Sequence, residues 1–254
     1  MTALSKRMVS RLIDNRLISS GFLVAVVLAL FSHQALGTPM GAEARALNST
    51  RGDPTGSVGS VYAEAGNVTE LEINGTQLTK AWQGFFGNIT GNITLEDSSG
   101  HQMYDWTMGD AQGEVYASRN NAITWADVNC STTETVVAEE TAMGMTDTDN
   151  DNISATFRTT DPHPTFNVGT FAVNATSTCY TTHTYVSGEG QDTAFPEVML
   201  NDSSGRVVWV TLINESTTGF DGVTHDFQML VPEDGHTDAQ ADIRTQYYFW
   251  VELS

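Results

Sequence analysis

Lys80-Ala-Trp-Gln-Gly-Phe-Phe-Gly-Asn-Ile-Thr-Gly91 is the stretch that decides the fold class. A Trp and two Phe within five residues carry enough apolar surface to anchor a core. Glycines at 84 and 87 point to a strand bent or bulged where a Cβ would clash. Asn88 and Asn92 each open an Asn-Ile-Thr triplet, so this strand ends beside candidate sugar acceptors.

Working outward, the punctuation stays that of antiparallel strands. Leu71 and Ile73 alternate with Glu70, Glu72 and Asn74, and Asn74-Gly75 reads as a hairpin turn into a strand over 76–87. Ile93 and Leu95 form the next strand, Asp97-Ser-Ser-Gly100 turns it, and 103–108 returns with Tyr104, Trp106 and Met108 on one face. Val198-Met-Leu-Asn-Asp-Ser-Ser-Gly205 repeats that design. In each copy an aromatic follows the glycine by four residues, Tyr104 in one and Trp209 in the other. Such an echo fits either a duplicated β unit or one favoured turn used twice.

Val207–Ile213 is apolar on both faces and is expected at the centre of a sheet. Ile153–Arg158, Phe166–Val173 and Cys179–Val186 read as threonine-rich strands. Thr132–Met145 is balanced between a short helix and strand with loop, and its Thr and Val favour the latter. The run Tyr247-Tyr-Phe-Trp-Val251 is too apolar to hang free and must pair as an inner strand or insert into another molecule. The expectation is an all-β fold, an antiparallel β-sandwich or jelly-roll-like domain over 62–254.

The first 37 residues read as an export signal. Lys6, Arg7, Arg11 and Arg16 precede an uninterrupted apolar run, Gly21–Phe31. Eleven residues fall short of the roughly 20 needed to cross a bilayer, and match a signal-peptide core. Ala35-Leu36-Gly37 offers cleavage before Thr38, with Ala42-Glu43-Ala44 as a second cut. The alternative is an uncleaved anchor, the membrane being met only through this segment. Residues 38–61, rich in Gly, Ser, Pro and Ala, read as a flexible linker.

From residue 38 on, seven basic residues face thirty acidic ones, a balance of −23. Such self-repulsion is screened at molar salt, where the Debye length is about 3 Å, so the composition suits brine. It also argues against nucleic acid as a partner, since a phosphate backbone is bound by Lys and Arg.

Ten Asn-X-Ser/Thr triplets follow the signal, at Asn48, Asn67, Asn74, Asn88, Asn92, Asn129, Asn152, Asn174, Asn201 and Asn214. Their number favours an exported glycoprotein. Cys130 and Cys179 are the only cysteines, which outside the cell predicts one disulfide contributing roughly 4 kcal/mol by chain entropy. Two isolated cysteines make no zinc site, and free buried thiols are the alternative.

Asp147, Asp149 and Asp151 alternate like the start of a calcium loop, but Asn152 stands where such a loop needs Gly, and Arg158 where it needs Glu. A weak, salt-competed Ca²⁺ site is the most this pattern offers, and no other cofactor is expected. His183 and His225-Asp226 have no Gly-X-Ser-X-Gly elbow to partner, and no histidine pair has metal-ligand spacing. No catalytic residues are assigned; a glycosidase built from the many carboxylates is the enzyme alternative. Of Trp82, Trp106, Trp125, Trp209 and Trp250, most are expected in the core. Any exposed aromatic row would suit sugar rings, which gives a carbohydrate-binding module as the rival reading.

Gly66-Asn-Val-Thr-Glu-Leu71, Thr79–Gly91 and Asp97-Ser-Ser-Gly100 with Tyr104 and Trp106 together resemble exported, β-rich surface proteins of halophile-type archaea, over residues 60–108 and more loosely at Tyr247–Ser254. The resemblance implies a cell-surface or extracellular β protein and brings no catalytic residues. The expected role is a structural or adhesive surface component, in a filament, surface layer or matrix. Its partners would be further copies of itself, other surface proteins or glycans.

Overall fold

The computed structural model describes residues 38–53, 59–109, 111–190, 194–234 and 244–253; the expected signal peptide, 1–37, lies outside them. The first strands are β1 (Met40–Gly41), β2 (Trp82–Gly87), β3 (Asn92–Glu96), β4 (Gln102–Thr107), β5 (Gly113–Ser118) and β6 (Asn129–Cys130). Two helices interrupt them, α1 (Thr133–Ala142) and α2 (Ile153–Thr156). Then come β7 (Phe166–Val168), β8 (Phe171–Val173), β9 (Tyr180–His183), β10 (Tyr185–Val186) and β11 (Glu189–Gly190). The last are β12 (Pro196–Asn201), β13 (Val207–Leu212), β14 (Thr217–Thr218), β15 (Thr224–His225), β16 (Phe227–Pro232) and β17 (Tyr248–Leu253).

All pairings are antiparallel, as an all-β chain punctuated by short turns requires. The main sheet runs β1-β17-β5-β13-β12-β6, and β9 shares the outer edge of β12 with β6. Its central strands are buried on both faces because both are covered. On one face Val115, Ala117, Met199, Val207 and Trp209 meet Val136 of α1, Ile153 of α2, Phe157, and Met229 and Val231 of β16. On the other, Tyr116, Val198, Leu200, Val208 and Val210 meet Phe166, Val168 and Val173 of the β7–β8 hairpin. The layers are unequal, seven strands against two-stranded ribbons.

The aromatic stretch is indeed a strand, but an unbroken one. β2 pairs with β16 in continuous register from Trp82↔Pro232 to Gly87↔Phe227. An added Cβ at Gly84 or Gly87 would come no nearer than ordinary van der Waals contact to Leu230 or Phe227, so the expected bulges are absent. Trp82 stacks on Phe157 at 5.9 Å and meets Trp209 edge-on at 6.1 Å, while its indole N–H donates to the Asp151 carbonyl at 2.6 Å. Phe85 packs edge-on against Phe249 of β17 at 5.3 Å. Close approach does demand glycine at Gly113, where φ is +124° and a Cβ would collide with the Glu252 carbonyl oxygen.

Several local readings are corrected. Thr132–Met145 is mainly helix: the Thr132 hydroxyl accepts the Thr135 N–H at 3.3 Å, and Glu139 forms a bidentate pair with Arg119 at 2.6 and 2.9 Å. These contacts outweigh the β preference of Thr and Val. Ile153–Thr156 is a helical turn, its N–H of Ala155 capped by the Asn152 carboxamide oxygen at 2.7 Å. Phe166–Val173 folds back on itself at Gly169, where φ is +57°. The alternating stretch around Leu71 and Ile73 makes no ladder, so the hairpin expected at Asn74-Gly75 is absent and the strand after it begins only at Trp82. Within the expected linker, β1 pairs with β17 through Met40↔Val251 and Gly41↔Trp250. Tyr248–Leu253 is therefore an inner strand, held by β5 on its other side.

Cys130 and Cys179 are joined, Cα to Cα 4.9 Å. Because Leu200 faces Cys130 and Met199 faces Tyr180, the bond staples β6 and β9 end to end along one edge of β12. No helix among the described residues is long and apolar enough to cross a membrane.

Candidate functional site

The β3–β4 hairpin stands apart from the layered core. Its turn is built by Asp97, whose Oδ1 accepts the N–H groups of Ser99 and His101 at 2.9 Å each, while Gly100 supplies φ of +80°. The ladder pairs Ile93 with Trp106 and Leu95 with Tyr104, so these four side chains share one face. They are 56%, 48%, 50% and 59% exposed, respectively, and the Tyr104 and Trp106 ring centroids lie 4.8 Å apart. Among the described residues β3 and β4 pair only with each other, leaving both outer edges of the ribbon open. An open apolar face with two neighbouring rings can take a β-strand, an apolar surface or a sugar ring.

A second polar group lies inside the fold. Glu114 and Glu252 face each other across the β5–β17 ladder, both buried. Glu252 Oε2 accepts the Gly169 N–H at 2.9 Å and lies 3.0 Å from the Tyr116 hydroxyl. Burial pushes the Glu114 carboxyl up to about 8, helped by the Glu252 charge and opposed by a bond from the Asn167 N–H. Burial likewise holds Tyr116 well above the usual phenol range. Glu197 is fully buried, one oxygen accepting the Leu230 N–H at 2.7 Å, and desolvation raises its pKa. These acids fasten β7–β8 and β16 onto the main sheet. Sequence reasoning missed all three: each adjoins a valine in a strand, Glu114 before Val115, Glu252 after Val251, Glu197 before Val198, but that adjacency does not say the carboxylate is enclosed.

No family model, curated protein or solved structure matches this chain. The candidate site therefore stands on its own geometry.

The ten triplets divide by burial. Asn48, Asn67, Asn74, Asn88, Asn92, Asn129 and Asn174 are exposed. Asn152 is not: its amide nitrogen donates to the Thr146 carbonyl at 3.0 Å inside the α2 cap, which leaves a sugar no room. Asn201 and Asn214 are half-buried, their amides donating to Asp202 and Ala194 carbonyls at 2.8 Å each.

The three loop aspartates work separately. Asp149 accepts the Thr146 N–H at 2.6 Å, and Asp151 accepts the Thr79 hydroxyl at 2.5 Å. Among the described residues no three His, Cys, Asp or Glu side chains gather as a metal set. His225 lies 3.0 Å from Asp221 and beside Phe86 and Phe220, a contact that spacing alone did not reveal. Of the five tryptophans, Trp209 and Trp250 are buried, Trp82 and Trp125 partly so, and Trp106 is the exposed one.

Proposed function

We propose that this protein is an exported, acidic glycoprotein of the cell surface or extracellular space, acting as a structural or adhesive component in a salt-rich setting. The reading rests on one observation above the rest: an acid-rich chain presents an uncharged apolar hairpin face, Ile93, Leu95, Tyr104 and Trp106, with open strand edges beside it. Monomers rarely leave such a face without a use. The disulfide suits an oxidising compartment, and seven exposed acceptor triplets suit a sugar coat. In molar salt the net charge would be screened, so contact through the uncharged face would prevail.

The experiment is cell fractionation followed by intact-mass measurement of the native protein. Recovery outside the cytoplasm, short of its first 37 residues and heavier by sugar at the exposed triplets, is the expected result. An unmodified, full-length cytoplasmic chain would overturn the reading. The rings of Tyr104 and Trp106 favour carbohydrate binding as a second reading. That reading expects polysaccharide titration to change tryptophan emission in the native protein and to leave Trp106→Ala unchanged. Equal responses from both proteins would remove it.

A further inference from the structure

Two parts of this chain are each half of a β assembly. The segment Val68–Ile73 alternates Thr69, Leu71 and Ile73 against Glu70 and Glu72 in sequence, and belongs to no ladder. Its Val68, Leu71 and Ile73 side chains are exposed. The β3–β4 hairpin is the converse, a paired ribbon with an apolar face and open edges. We propose that Val68–Ile73 of one copy adds as a third strand to the β3–β4 hairpin of a second copy, the segment acting as donor and the hairpin as acceptor. The proposal rests on the reading of this protein as a surface component and names the contact by which its copies meet.

Strand addition matches the chemistry of both halves. Main-chain bonds from the donor would satisfy the free edge, and Leu71 and Ile73 would join Tyr104 and Trp106 on one apolar face. Glu70 and Glu72 would then fall on the reverse face with Asp105, away from the rings. The triplets stand clear as well: Asn67 and Asn74 bracket the donor, while Asn92 lies on β3 and points to the reverse face. Of the two open edges, that of β4 carries no acceptor triplet and is the one the donor takes.

Area selects a copy of this chain as the occupant. Half-exposed, the four hairpin side chains offer about 400 Å², and Leu71 and Ile73 of the donor about 250 Å² more. A peptide strand on the hairpin alone falls short of the roughly 800 Å² per partner of a standard interface. A chain that gives its strand to, and receives one from, the same partner comes to about 650 Å², nearer that figure than either contact alone. The acids at 70, 72 and 105 would repel one another on the reverse face, so assembly should strengthen as salt rises.

The test is cross-linking between single-cysteine variants of the exported chain. The native cysteines are paired, so no free thiol competes. Glu70→Cys and Glu72→Cys, which cover both registers, are each mixed with Asp105→Cys and oxidised in molar salt. A band at twice the chain's mass from one of these mixtures is expected, with none when Glu189→Cys replaces Asp105→Cys. Adding Leu71→Asp and Ile73→Asp to the donor, both at exposed positions, should abolish the band while the circular dichroism spectrum stays that of the parent chain. No dimer in either mixture, or ring closure within one chain when both cysteines share it, would overturn the proposal. A chain that reaches the cell surface and assembles without this cross-link would refute only the donor strand, whereas a cytoplasmic chain would refute the surface role itself.

Discussion

Asp97-Ser-Ser-Gly100 and Asp202-Ser-Ser-Gly205 are the same turn in two settings. Each aspartate accepts two backbone N–H groups two and four residues on, and each glycine takes a positive φ, +80° and +75°. Each turn also closes with a glycine N–H donated to the aspartate carbonyl, at 3.0 and 2.9 Å. There the likeness ends. Asp97 is exposed and faces His101, while Asp202 is buried, accepts the Thr124 N–H at 3.1 Å and pairs with Arg206 at 3.2 Å. Arg206 in turn donates to the Ala122 carbonyl. The strands on the first turn lie in the open, and those on the second fill the centre of the main sheet. Turn chemistry fixes the hairpin; what covers its face decides whether it becomes core or contact surface.

The comparison is broken most forcefully through its aromatics. Trp209→Ala removes a fully buried ring that touches Trp82 and Phe157, and should cost about 4 kcal/mol. Trp106→Ala, at the matching turn, should cost under about 1 kcal/mol. Denaturant midpoints in molar salt measure both, and equal losses would deny that the two hairpins differ in burial.

Next in size are the turn aspartates. Asp202→Ala strands the N–H groups of Thr124, Ser204 and Arg206 and leaves a guanidinium without its carboxylate, a loss of about 3 kcal/mol. Asp97→Ala should change stability by no more than about 0.5 kcal/mol, because water replaces the lost bonds. A similar cost at both sites would contradict the account.

A smaller effect sharpens the contrast by pH. Glu114 is raised from 4.5 to about 8 in the fold, so between those values the native state holds a proton that the unfolded chain has released. Stability from this group is complete below about pH 4.5, falls as pH climbs, and is gone above about 8, each unit being worth about 1.4 kcal/mol at most. Glu114→Gln should flatten that slope. The exposed hairpin carries the opposite sign: bonds from the His101 N–H and side chain and the Ser99 N–H hold Asp97 low, a contribution lost only in acid. An unchanged slope in Glu114→Gln would remove the buried pair from the account.

Much of the sheet was legible before its layers were known. Val207–Val210 and Tyr247–Val251 are continuous apolar runs, and such runs have few places to go but inside. The disulfide followed from an even count of cysteines. α1 was only half legible, because its Thr and Val prefer strand while its Glu and Ala prefer helix, and the Arg119 contact that holds the helix comes from 20 residues away. Alternation put Tyr104 and Trp106 on one face but says nothing of what covers that face, and here the described residues leave it open. Alternation at Leu71 and Ile73 likewise marks a strand without naming a partner. The buried acids were hidden for a related reason: a carboxylate is kept inside by bonds from distant backbone, Gly169 for Glu252 and Leu230 for Glu197.

Native-state hydrogen exchange at a concentration where the protein is monomeric tests the central contrast most directly. The amides of Val207–Leu212 should exchange only with global unfolding, while those of Asn92–Thr107 should exchange through local opening, orders of magnitude faster. Equal protection of the two hairpins in the monomer would contradict the account.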